Sequence, residues 1–195
     1  MEDYLEIDFL AEKVAVAISD VFNFDMFLLE NNVHEVAINH RIAIYLEREL
    51  RKHELYQNCF VDIEYNRLNK SLNSKPIPEC KELIFRPDII VHNRDRKMFL
   101  LWLEIKIAED EYACRSDENK VCHACKNFDF LFGFSVLINY KKRMLSIRGY
   151  SKIFPEIYST YEFSYQMKNR RFELFFKEEE LTMREPLYLI ELKKT

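Results

Sequence analysis

Apolar residues recur among charges at Leu5, Phe9, Val16 and Ile18, a spacing that predicts an amphipathic helix over residues 2–22. A second helical pattern is clearer. Glu35, Ile38, Ile42, Tyr45, Leu46, Glu49 and Leu50 fall at steps of three and four, with His34, Arg41, Arg48 and Arg51 on the opposite side and Asn31 or Asn32 as the cap. An acidic residue, Glu35, therefore opens the buried stripe of this helix.

The period then changes to two. Residues 60–65 alternate Phe60, Asp62 and Glu64 against Val61, Ile63 and Tyr65, as a strand does, and residues 69–80 carry the Asn, Ser and Pro content of a loop. Residues 83–91 and 98–107 read as two strands of a hairpin, joined by the polar turn His92-Asn93-Arg94-Asp95-Arg96. Ser116 can cap a third helix with Asp117 and Glu118 in its first turn; residues 130–140 return as an apolar strand, and 172–176 and 187–192 are further strand-like pieces. The order helix, helix, strand, strand, strand, helix, strand predicts an α/β sandwich around a mixed sheet rather than an alternating βαβ fold.

Composition narrows the function. A chain of 195 residues with 48% hydrophobic content suits one domain, and two glycines cannot build a glycine-rich nucleotide-binding loop. The apolar runs, such as residues 98–103, are too short to span a bilayer and no basic leader opens the chain, so a cytoplasmic protein without membrane contact is expected. A net charge of -4 argues against coating nucleic acid by bulk electrostatics, though basic residues can be confined to one face. Five cysteines without a secretory signal are expected as thiols.

The chemistry lies in the hairpin. Residues two apart on a strand share a face, so Glu104 and Lys106 project together, and a turn centred near Asp95 brings Asp88 opposite a residue close to Trp102 and within reach of Glu104. Two carboxylates in a partly buried site repel unless a cation neutralises them. Mg²⁺ suits one or two carboxylates completed by water and phosphate oxygens, and the backbone carbonyl of Ile105 can join the shell. Lys106 can then orient or deprotonate the attacking water, or meet the charge that develops on phosphate. Glu35, on the core-facing stripe, needs a cation, a lysine or water, and the adjoining metal site is one candidate.

The string Pro87-Asp88, fifteen intervening residues, then Glu104-Ile105-Lys106 resembles the motif of the PD-(D/E)XK, or restriction-endonuclease-like, nuclease superfamily. The resemblance covers residues 32–140 and implies an α/β/α core with a central mixed β-sheet, inside a single domain spanning 1–195. It implies Asp88 and Glu104 as metal ligands, Lys106 as the catalytic lysine, Glu35 as the acidic residue of the first core helix, and Mg²⁺ or Mn²⁺ as cofactor. The helix after the motif often adds a Lys or Gln in that family, for which Lys120 and Lys126 are the candidates. Residues 61–67 followed by Arg86-Pro87-Asp88 also look like small bacterial and phage nuclease-like proteins. The implied activity is phosphodiester hydrolysis, with DNA favoured over RNA and with a homodimer or a protein partner as further company. The alternative is an inactive nuclease-fold binding or assembly module of a phage-defence or mobile-element system, which the acidic charge balance favours.

Weaker signals keep their plain readings beside the functional ones. Arg67 and Arg86 can hold a phosphate, but a solvated sheet face explains the same alternation. Cys122-His123-Ala124-Cys125 with Cys114 invites zinc, yet Val121, Cys122, Cys125 and Phe128 fit the buried face of a helix and there is no second C-x-x-C. His34 and His40 lie opposite an apolar stripe, and Lys141-Lys142-Arg143 suits a solvated strand end as well as a phosphate track.

Overall fold

The computed structural model describes residues 2–31, 33–65, 86–94, 98–109, 115–128, 130–152, 158–168 and 171–176. Helix α1 (Glu2–Phe24) is followed by the short α2 (Met26–Glu30) and by α3 (Glu35–Leu50). The stripe that α1 buries runs through Ile7, Leu10, Val14, Ile18 and Val21, while Phe9 and Val16 are only half-buried. The core face is wider than predicted, because α1 packs against both α3 and the sheet.

Helix α3 buries Ile38, Ile42, Tyr45, Leu46, Glu49 and Leu50, as its periodicity predicts, and Asn39 with them. Its cap differs from the expectation. His34 precedes the first turn and its Nδ1 accepts the Val36 N–H at 3.4 Å, whereas Asn31 ends α2, donating from Nδ2 to the Phe27 carbonyl at 2.9 Å. The α2 turn was invisible to periodicity because five residues give too few repeats to show one.

Strands β1 (Phe60–Ile63), β2 (Ile89–His92), β3 (Phe99–Ile107), β4 (Phe130–Asn139), β5 (Met144–Ser151), β6 (Tyr158–Lys168) and β7 (Arg171–Phe176) form one seven-stranded sheet in sequence order. Neighbours are antiparallel except β3 and β4, which are parallel. A parallel pair needs a crossover, and α4 (Arg115–Asn127) supplies it. The mixed sheet with helices is therefore as expected, enlarged by β5 and β6. Both of these added strands are amphipathic: Leu145, Ile147 and Gly149 on β5, and Tyr161, Phe163 and Tyr165 on β6, alternate with more exposed residues. The predicted segments 69–80 and 187–192 lie outside the described residues.

Two apolar layers hold the sheet. On one face α1 and α3 pack on Leu101, Leu103, Ile105, Phe134 and Ile147; on the other, Val121 and Ala124 of α4 pack on Ile90, Trp102 and Phe130. Strand β3 is thus covered on both sides, which explains its nearly continuous apolar run. Gly133 of β4 lets α4 approach, since a Cβ there would meet Val121 Cγ1 at 2.5 Å and Cys125 Sγ at 2.9 Å. Among the described residues no helix is long and apolar enough to cross a membrane.

Candidate functional site

The β2–β3 ladder decides the geometry. Ile89 pairs with Leu103 and Ile90 with Trp102, so continuing the register by one residue sets Asp88 across from Glu104. Pro87, buried just before the strand, has no N–H to leave unpaired at the end of the ladder. On the other side of Asp88, the Glu64 N–H donates to the Asp88 carbonyl at 3.1 Å, with Glu64 in the left-handed region at φ 46°. The side chain is fixed as well: Asp88 Oδ2 accepts the main-chain N–H of Ile105 at 2.7 Å.

Glu104 is almost fully buried, at 3% exposure, and both of its oxygens have donors. Trp102 Nε1 donates to Oε1 at 2.9 Å, and Lys120 Nζ, reaching over from α4, donates to Oε2 at 3.0 Å. The same ammonium donates to Asp117 Oδ1 at 2.9 Å, one helical turn back. A carboxylate pair on the sheet and a lysine–aspartate pair on the covering helix therefore form one network.

Its electrostatics follow from burial. Loss of water pushes Glu104 up to about 7, the neighbouring Asp88 charge adds to the rise, and Lys120 and the Trp102 indole work against it. Burial pushes Asp88 up to about 6; the Ile105 N–H opposes this, the Glu35 charge adds to it, Lys120 lowers it and Asp117 raises it. Desolvation disfavours the Lys120 charge, but its contacts with Asp117 and Glu104 outweigh that and hold the ammonium well above the ordinary lysine range. The site therefore carries more negative charge than Lys120 alone neutralises.

No family model, no curated protein and no solved structure matches this chain.

Asp88, Glu104 and Ile105 come together, and Glu35 at the start of α3 is near enough for its charge to act on Asp88. Lys106 shares the face of Glu104 by strand parity and is half-buried, but it is Lys120 whose ammonium reaches Glu104. Arg86 is paired with Glu64, through Nη2 to the carboxylate and Nε to the carbonyl at 3.4 Å. Arg67 lies outside the described residues. Lys126, in the last turn of α4, is exposed.

Sequence reasoning gave Trp102 and Asp117 only structural places and passed over Ser135 and Arg148. Trp102 was signalled by parity, lying two residues before Glu104 on one strand, and Asp117 by its i,i+3 spacing from Lys120. Ser135 pairs beside Glu104 and Arg148 beside Ser135, a transverse row that only the β3–β4–β5 register assembles. Arg148 and Tyr150 of β5 both engage Glu118 of α4, which ties that row to the helix. The thiol of Cys125 is buried against Gly133 and pushed up to about 12 by burial; Val121 and Cys125 pack inward as their spacing suggests, whereas Cys122 and Phe128, expected on the same face, are only half-buried.

The donor set suits a hard divalent ion better than a soft one. Among the described residues no group of three or more His, Cys, Asp and Glu side chains is gathered to hold an ion by itself. Two adjoining carboxylates could hold a hard divalent ion such as Mg²⁺ or Mn²⁺, whose shell water, a backbone carbonyl and phosphate oxygens would complete.

Proposed function

We propose that this chain is a metal-dependent nuclease of the PD-(D/E)XK type that hydrolyses phosphodiester bonds, with DNA as the favoured substrate. The observation that carries the reading is the apposition of Asp88 and Glu104 across the β-hairpin, two carboxylates raised mainly by burial, with the Asp88 charge adding to the rise at Glu104 and the Glu35 charge to that at Asp88. The element order of α3, three antiparallel strands, α4 and a strand parallel to the third supports it, because that is the order the motif resemblance implies.

In this reading Asp88, Glu104 and the Ile105 carbonyl would hold Mg²⁺ or Mn²⁺, which supplies Lewis-acid activation of phosphate and of the attacking water. The residues do the rest. Lys106 orients the water and meets charge developing on the phosphate oxygens. Lys120 keeps the Glu104 and Asp117 carboxylates compensated, and Glu35 biases Asp88 toward a cation by adding negative charge beside it. Arg86, next to Pro87 in the chain, and Lys120, hydrogen-bonded to Glu104, are the basic groups assigned to phosphate contact.

A second reading has its own support. Both oxygens of Glu104 already have donors in Trp102 and Lys120, as expected of a nuclease-fold module that has turned to binding or assembly, for instance in a phage-defence or mobile-element system. A metal-titrated cleavage panel with single-stranded DNA, double-stranded DNA and RNA separates the two. Nuclease action requires turnover that a chelator and Glu104→Gln both abolish. Full activity in chelator sinks the metal reading, and no turnover with stable association to a partner chain selects the module.

A further inference from the structure

We propose that Trp102 is a positioning residue that sets the Glu104 carboxylate for its cation, an inference that rests on the metal-site reading of Asp88 and Glu104. The two carboxylates share one design. Asp88 has Oδ2 pinned by a main-chain N–H, that of Ile105 at 2.7 Å, and Glu104 has Oε1 pinned by the indole N–H of Trp102 at 2.9 Å.

The Trp102 donor is rigid for definite reasons. Its side chain is fully buried, its ring lies nearly parallel to Phe128 at 6.1 Å and edge-on to Phe130 at 5.2 Å, and Ile90 packs in the same cluster. An indole N–H only donates, so it can neither compete for a cation nor rotate to become an acceptor, as a hydroxyl could. Glu104 by contrast has a flexible side chain. Lys120, its other partner, is 30% exposed at the end of a four-carbon stem and is shared with Asp117, so it can leave Oε2 when a cation arrives. Trp102 cannot leave Oε1 without unpacking the α4 face of the sheet. One oxygen of Glu104 is therefore held while the other is exchangeable, as orienting partners of metal ligands require.

Trp102 is also the only tryptophan of the chain, so its single indole N–H resonance reports on this contact alone. The test is an ¹⁵N–¹H spectrum of the full chain, wild type and Glu104→Gln, each titrated with Mg²⁺. It is paired with Mg²⁺ affinity and cleavage kinetics for Trp102→Phe, which keeps a ring and loses the donor. The indole resonance is expected to lie downfield in the wild type, to move upfield in Glu104→Gln, and to shift saturably with Mg²⁺ only in the wild type. Trp102→Phe is expected to bind Mg²⁺ about 10- to 100-fold more weakly. Its kcat should fall at saturating nucleic acid with KM for nucleic acid unchanged.

An indole resonance unmoved by Glu104→Gln overturns the proposal, and this holds even if Trp102→Phe fails to fold. Wild-type Mg²⁺ affinity in a folded Trp102→Phe chain overturns it too, while leaving the nuclease reading intact. If Mg²⁺ neither shifts the wild-type resonance nor supports cleavage, the metal reading fails and the ligand-positioning role fails with it. A resonance still moved by Glu104→Gln marks that case apart.

Discussion

Lys120 Nζ stands 3.0 Å from Glu104 Oε2 and 2.9 Å from Asp117 Oδ1, so one ammonium from the crossover helix bridges a carboxylate of the sheet and a carboxylate of its own helix. Removing it takes the shared counter-charge away from two poorly hydrated carboxylates. Lys120→Ala is expected to lower folding stability at neutral pH by about 2–4 kcal/mol. Lys106→Ala, without such a tie to Glu104, is expected to change stability by less than about 0.5 kcal/mol while abolishing cleavage. Chemical denaturation and a cleavage assay on the two variants separate a lysine that holds the fold together from one proposed to act on the phosphate.

The carboxylates themselves carry the opposite balance. Asp88→Asn and Glu104→Gln remove charges that burial disfavours, so each variant is expected to melt higher than wild type at pH above about 7 in the absence of divalent ions. Each is also expected to lose more than about 100-fold in metal-dependent cleavage. Calorimetry and the cleavage panel, run on the same preparations, check both halves; a destabilised Glu104→Gln would contradict the electrostatic account of the site.

The sign of the pH dependence follows. Asp88 and Glu104 titrate near 6 and 7 in the folded chain, against ordinary values of 3.8 and 4.5. Between those limits the folded chain binds more protons than the unfolded one, so these groups lower stability progressively as pH rises from about 4 to about 7, with the full penalty above that range. Thermal melts in chelator across this range should show the decline, and Glu104→Gln should flatten it. Added Mg²⁺ should oppose the decline most strongly at the alkaline end, where both ligands are ionised.

Gly133 offers a test of the helix that carries Lys120. A Cβ at this position meets Val121 and Cys125 side chains closer than ordinary contact, so Gly133→Ala is expected to cost about 1–3 kcal/mol as α4 lifts from β4. Because Lys120 rides on that helix, the Glu104 contact should loosen, and cleavage should fall by more than the stability loss explains. Activity assayed well below the melting transition distinguishes this from simple unfolding.

Much of this is legible in the sequence itself. The three-to-four spacing of Ile38, Ile42, Tyr45, Leu46 and Leu50 determined α3, the alternation at residues 60–63 determined β1, and the apolar run before Glu104 marked a strand covered on both faces. Strand parity alone put Glu104 and Lys106 on one side, and hairpin symmetry brought Asp88 toward them. These are local consequences of a helical or extended backbone, and a sequence carries local information directly.

What the sequence could not decide depended on partners distant along the chain. The register that sets Asp88 across from Glu104 is fixed by how the hairpin strands pack under the helices, and a slip of one residue would turn every side chain to the other face. The parallel pairing of β3 with β4 swings α4 across the sheet, and only that crossover selects Lys120 as the ammonium that reaches Glu104. The grouping of Glu104, Ser135 and Arg148 in one row likewise exists only once three strands are in register. Residue types and their local faces were written in the sequence; which charges meet, and how far burial raises them, was decided by packing.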